Sequence, residues 1–195
     1  KRCPSEGFKC EKIAIEKIKH FVSKDALNIE GLGKKVVENF WEIKLIKLPQ
    51  DIFNLDYKKI ESLDGWGKLS VSNLKYAIEE SKKITLEKFI FSLGIRHIGQ
   101  ENAKLLSKHF KSVKKFVDLD TEFNFNTLLN IDGMGETQVN SLKRFFSDKK
   151  NILVVNKLYQ NLNVSNQEIL QTGKFQNKTF MITGKLDGIS RAEAK

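Results

Sequence analysis

Apolar residues in this chain fall into short helical stripes, and four of the stripes start at the same kind of corner. Ile29-Glu30-Gly31-Leu32-Gly33 leads into Val37 and Phe40, and Leu63-Asp64-Gly65-Trp66-Gly67 leads into Val71 and Leu74. Ile95-Arg96-His97-Ile98-Gly99 leads into Ala103 and Leu106, and Ile131-Asp132-Gly133-Met134-Gly135 leads into Val139 and Leu142. An apolar residue four and again seven positions after a glycine is the buried stripe of an amphipathic helix that starts there. The final glycines are 34, 32 and 36 residues apart, so the corner marks one unit of an internal repeat. His97 stands where the other three corners have their first glycine.

The remaining pattern predicts helices between the corners. Glu11 to Val22 reads as helix, followed by breaks at Lys24-Asp25 and around Pro49. Ile43, Leu45, Ile46, Leu48, Ile52, Phe53 and Leu55 are assigned mostly to the core, and so is Trp41. Residues 68–93 read as helical with a break at Lys83-Ile84, after which Thr85 caps a helix carrying Leu86, Phe89, Ile90 and Leu93. Phe110, Val113, Phe116, Val117, Phe123, Phe125, Leu128 and Leu129 supply a core for the last two corners. Residues 136–162 form the last strong helical region, with Val139, Leu142, Phe145, Phe146, Ile152, Leu153, Val155, Leu158 and Leu162 inward. The polar stretch 163–174 reads as a linker. Thr179 to Thr183 is β-rich and reads as a strand, with a short helix capped by Ser190 behind it. The fold class is therefore mainly α, with the first two corners packed as one pair and the last two as another.

The corner has chemistry of its own. Gly31, Gly65 and Gly133 suit a turn with positive φ, which ends the preceding helix. The apolar residue after each (Leu32, Trp66, Ile98, Met134) plugs the corner into the core. Gly33, Gly67, Gly99 and Gly135 let the backbone come close to a ligand, and the next helix opens with unpaired N–H groups and the positive end of its dipole. That is an anion site made without side chains. On nucleic acid the anion is a phosphate, and such contacts position a protein without reading sequence. Lys34, Lys35, Lys68 and Arg96 stand beside these sites.

Composition sharpens this reading. The 195 residues carry a formal charge of +10, which suits a polyanionic partner. No apolar run approaches the ~20 residues a membrane span needs. Two cysteines in a lysine-rich chain point to a reducing cytoplasm. Cys3 and Cys10 flank a Pro/Gly loop shaped like one knuckle of a zinc site, although zinc in structural sites takes four ligands. His20 is a possible third ligand or a satisfied helix histidine. The chain opens on Lys1 and has methionine only at 134 and 181, which fits a piece of a longer product.

The four h-x-G-h-G corners resemble the helix-hairpin-helix family of non-sequence-specific DNA-binding units. The order of parts narrows the resemblance: a cysteine knuckle, four hairpins, a linker, then Phe175-Gln176-Asn177-Lys178-Thr179-Phe180-Met181-Ile182-Thr183-Gly184, similar to the opening of a BRCT domain. This order is similar to the C-terminal part of bacterial NAD-dependent DNA ligases.

The resemblance implies the end of a zinc finger and a connecting helix over 1–21, a helix-hairpin-helix domain over 22–162, a linker over 163–174 and the start of a BRCT domain over 175–195. It implies that Cys3 and Cys10 hold zinc as half of a four-cysteine finger. It implies a monomer that grips nicked duplex DNA, with NAD and magnesium used elsewhere in the parent enzyme to seal nicks in replication and repair. Lys185-Leu186-Asp187-Gly188 matches the adenylated-lysine pattern K-x-D-G of ligases, but the pocket such a nucleophile needs is missing around it. No catalytic residue is therefore assigned. Two other readings stay open: a hairpin module of another repair protein, junction-binding or nuclease-associated, and a helical scaffold that binds protein only.

Overall fold

The computed structural model describes residues 10–120 and 122–166. The cysteine loop before Cys10, the expected strand at 179–183 and the K-x-D-G match lie outside the described residues. The architecture is mainly helical. Helix α1 spans Glu11–Val22, and α2 spans Lys34–Glu42. A 3-10 helix at Pro49–Asn54 replaces the plain break expected around Pro49, because proline suits the first turn of a helix. Helices α3 (Tyr57–Glu61), α4 (Lys68–Ser81) and α5 (Leu86–Ser92) follow. Then come α6 (Gln100–Phe110), α7 (Val113–Val117), a second 3-10 helix at Phe125–Asn130, α8 (Glu136–Ser147) and α9 (Lys149–Asn161).

Caps set several of these boundaries. Thr85 caps α5 as its sequence suggests, its Oγ1 accepting from the Lys88 N–H at 3.3 Å. Asp56 does the same for α3, accepting from Lys59 at 3.1 Å. Each such cap contributes about 1 kcal/mol.

Buried apolar residues from Ala14 to Leu162 form a single core cluster. Helix α9 is one strap between its two halves. It packs on α7 and α8, and it also reaches the Pro49–Asn54 helix of the first half. The stretch 163–174 does not begin as a linker. Asn163–Ser165 forms strand β2, paired in parallel with β1 at Lys83–Thr85. Ile84 is buried and Val164 packs against the core, while the flanking residues face solvent. A strand of three residues is too short to show a period-2 stripe, so the expected break at Lys83-Ile84 is a strand whose partner lies 80 residues away. The Asn163 N–H donates to the Lys82 carbonyl at 2.8 Å, and Asn166 Oδ1 accepts from the Val113 N–H at 2.9 Å, capping α7.

Two core assignments are corrected. Leu153 is 55% exposed, because Val154, Val155 and Leu158 take the inward face of α9. Leu129 is 42% exposed, because in a 3-10 turn Phe125 and Leu128 eclipse each other and point inward together. Trp41 is buried as expected, with its Nε1–H donated to Glu11 and the Lys47 ammonium 4.0 Å from its ring centre.

Replacing Asn163 with proline removes the hydrogen bond to Lys82, and the preceding Leu162 is already extended (φ −105°, ψ 143°), as a residue before proline must be. Asn163→Pro should therefore cost about 1–3 kcal/mol in urea denaturation. Unchanged stability would mean that the strand pair contributes nothing.

Candidate nucleic-acid interface

The four corners share one backbone geometry. In each, the fourth residue donates its N–H to the carbonyl of the first: Leu32 to Ile29 at 3.3 Å, Trp66 to Leu63 at 3.1 Å, Ile98 to Ile95 and Met134 to Ile131 at 3.0 Å. The third residue has positive φ in every case: 85° at Gly31, 78° at Gly65, 63° at His97 and 87° at Gly133. This is a four-residue β-turn with a left-handed third position, as in a type II turn. Leu32, Ile98 and Met134 are buried, and Trp66 packs at 5.5 Å on the Phe40 ring.

Gly33, Gly67, Gly99 and Gly135 are the N-cap residues of α2, α4, α6 and α8. Their carbonyls accept from Val37, Val71, Ala103 and Val139 at 2.9–3.1 Å, which is the first helical hydrogen bond. The four-residue spacing in the sequence is that bond. All four are exposed. A Cβ at Gly33, Gly67 or Gly99 would meet nothing within 4 Å, and one at Gly135 would meet only the side-chain oxygen of Gln138 at 3.2 Å. Their φ values, from −66° to −121°, suit any residue. Neither backbone conformation nor packing within the described residues calls for glycine there.

The corners differ in how they treat the N-cap N–H. Ser70 Oγ accepts from Gly67 N at 2.9 Å, and Gln138 Oε1 accepts from Gly135 N at 3.3 Å. At Gly33 and Gly99 no described side chain does so, since Val36 is apolar and Asn102 donates instead to the His97 carbonyl at 3.0 Å. These capping side chains lie three residues after the glycine and are readable in the sequence as N3 positions, but they were not singled out there.

Lys34, Lys35, Lys68 and Arg96 are all exposed, and none pairs with a carboxylate of the described residues. Lys19 contrasts with them. It bridges Glu16 at 2.6 Å and Glu38 at 2.7 Å, tying α1 to α2, and these hydrogen bonds hold its ammonium above the ordinary lysine range.

Neighbouring corners touch. Gly31 lies against Leu74 of α4, and a Cβ at Gly133 would come within 3.0 Å of Leu105 of α6. His97 Nδ1 is 3.0 Å from Ser141 Oγ of α8. Cys10, half-buried at the start of α1, has a free thiol. His20 Nε2 bonds to the Phe91 carbonyl at 2.8 Å, so His20 is a satisfied helix histidine. No group of three or more His, Cys, Asp or Glu side chains converges among the described residues. Cys3 lies outside them. No helix among the described residues is long and apolar enough to cross a membrane.

Residues 88–155, which hold the third and fourth corners, match the helix-hairpin-helix motif. The chain is 62% identical over its whole length to the DNA ligase of Pelagibacter ubique (strain HTCC1062), of which it covers 29%. It is 44% identical over 99% of its length to the DNA ligase of Ehrlichia canis (strain Jake), and 41% identical over its full length to that of Rickettsia bellii (strain RML369-C), covering 30% of each. This chain is homologous along its length to a segment of DNA ligases. It spans about a third of the length of the curated relatives it matches.

The two glycines of a hairpin should respond differently to alanine. Gly31→Ala puts a Cβ at φ 85° and should cost about 1–2 kcal/mol, and Gly133→Ala more, given the contact with Leu105. Gly33→Ala loses a favourable cap residue but also restricts the unfolded chain, so stability should stay within about 0.5 kcal/mol. Equal losses at both positions, measured by urea denaturation, would contradict this division of labour.

Proposed function

We propose that this chain is the DNA-holding part of a bacterial NAD-dependent DNA ligase, gripping nicked duplex DNA through backbone phosphates without regard to sequence. The observation that carries the proposal is the set of final glycines. They are exposed and free of any conformational need for glycine, at helix N-termini of which the first two carry lysines without a carboxylate partner among the described residues. A phosphate approaching within hydrogen-bond distance of a backbone N–H needs that space.

In this reading the four hairpins work as two pairs, supported by the contacts of Gly31 with Leu74 and of His97 with Ser141. Each helix N-terminus supplies N–H donors to a phosphate oxygen. At Gly67 and Gly135 the Ser70 and Gln138 side chains turn away as the phosphate arrives. Lys34, Lys35 and Lys68 add charge and release counterions. A lysine in the first helical turn opposes the helix dipole, and a phosphate offsets that cost. Gly99 and Gly135 are followed by Gln100 and Glu136, so the first two hairpins hold DNA more strongly.

The Cys10 thiol, free and partly exposed at a helix N-terminus, suits a zinc thiolate. Cys3 and Cys10 would hold the metal together with two ligands from another part of the ligase, and zinc there would staple the loop to α1. The adenylation chemistry that uses NAD and magnesium falls to other residues of the enzyme. The protein works as a monomer in the cytoplasm, at the nucleoid, and residues 175–195 open a BRCT domain.

The test is a salt titration of duplex binding. Lys34→Ala/Lys68→Ala should weaken binding and lower the slope of log K against log salt by roughly one unit per lost contact. Gln100→Ala/Glu136→Ala should leave the slope unchanged. Equal slopes in both would remove the lysine contacts from the account. The chain incubated with NAD should form no AMP adduct, and a labelled adduct at Lys185 would make the K-x-D-G match an active site.

A further inference from the structure

Exposed lysines crowd one corner of the molecule, where α6 gives way to α7. Residues 102–117 contain Lys104, Lys108, Lys111, Lys114 and Lys115 and no carboxylate. The longer acid-free stretch 149–167 has only Lys149, Lys150 and Lys157. All five lysines of the corner are exposed, and none forms an ion pair with a carboxylate of the described residues. Lys19 and Lys82, by contrast, are each bridged to glutamate. Like charges held close together repel one another, and an anion seated among them relieves the repulsion.

Lys111 gives the corner a second peculiarity. It ends α6 in the left-handed conformation, at φ 59°, with its N–H donated to the Ser107 carbonyl at 2.8 Å. Helices commonly place glycine there, because a Cβ is strained. The chain thus keeps a cation where the backbone favours glycine. Lys104, Lys108 and Lys111 recur at i, i+4 and i+7, so they form one stripe that begins in the second turn of α6. From Gln100 to Lys111 the helical rise amounts to about 16 Å. That is roughly five base steps of a duplex.

The chain's own continuation does not suit this corner. Asn166 Oδ1 accepts from the Val113 N–H at 2.9 Å, so the last described residue sits against α7. The sequence that follows is itself basic, with Lys174, Lys178, Lys185, Arg191 and Lys195 against Glu168, Asp187 and Glu193. A net-basic segment does not neutralise a lysine cluster, so charge complementarity calls for a polyanion from elsewhere.

We propose that the α6–α7 corner is a second DNA contact, separate from the hairpin glycines. Its five lysines hold phosphates of a strand that runs on from the third hairpin along α6. The inference rests on the reading of the chain as DNA-holding. The contact uses side-chain ammonium groups alone and no helix N-terminus. Each ammonium that meets a phosphate releases counterions, so the corner adds affinity that falls steeply with salt and is blind to sequence.

The experiment is a salt titration of a labelled nicked duplex with the whole chain, read by fluorescence anisotropy, beside urea denaturation of the same variants. Lys111→Gly separates fold from contact, because it removes the strain and the cation together. It should unfold at an equal or higher urea concentration, yet bind more weakly, with a slope of log K against log salt shallower by about one unit. Lys114→Ala/Lys115→Ala should make the slope shallower by about two units. Lys44→Gly is the control: Lys44 is also left-handed, at φ 61°, but lies beyond α2 and outside the lysine cluster, so its slope should match that of the unaltered chain. An unchanged slope in either corner variant, or an equal loss in Lys44→Gly, overturns the corner as a DNA contact, leaves it to an acidic protein partner and leaves the hairpins in place. Failure of the unaltered chain to bind duplex at any salt concentration would instead overturn the DNA-holding reading, and this inference with it.

Discussion

The candidate interface depends on one backbone bond, the N–H of the fourth corner residue given to the carbonyl of the first. That bond closes a turn whose third residue has positive φ. Closing the turn drives an apolar side chain into the core and leaves the next glycine outside, at the head of a new helix. The core and the candidate interface are thus built by the same five residues. A substitution that opens the turn costs packing and binding together, whereas one at the final glycine can separate them.

Long-range ties join the contacts between corners in holding the corners in place. Helix α9 spans both halves of the core, and the β1–β2 pair brings the end of the described chain back to the segment between the second and third hairpins. Asn166 adds a cap on α7. A rigid platform suits phosphate binding, since N–H groups fixed before the ligand arrives need not be ordered on contact.

Much of this was legible in the sequence because it is written in glycine and in helical period. The corners, the boundaries of α1, the cap at Thr85 and the burial of Trp41 follow from local rules. What was not legible is non-local or too short to show a period. Lys83–Thr85 looked like a break because its partner strand is distant in sequence, and Leu153 looked buried because an apolar run does not say which of its residues faces out. His97 was the least readable position. Its departure from glycine is plain in the chain, but the hydroxyl of Ser141 that its Nδ1 meets is reached only through the fold.

The central claim is that backbone N–H groups at the hairpin glycines meet the phosphates. Amide chemical-shift changes in a nuclear magnetic resonance titration with duplex DNA read this directly. The account predicts that the largest changes fall on residues 33–36, 67–70, 99–102 and 135–138, with downfield proton shifts at the glycine amides. Changes concentrated instead on the lysines around α7, Lys108, Lys111, Lys114 and Lys115, with the glycine amides unmoved, would contradict it.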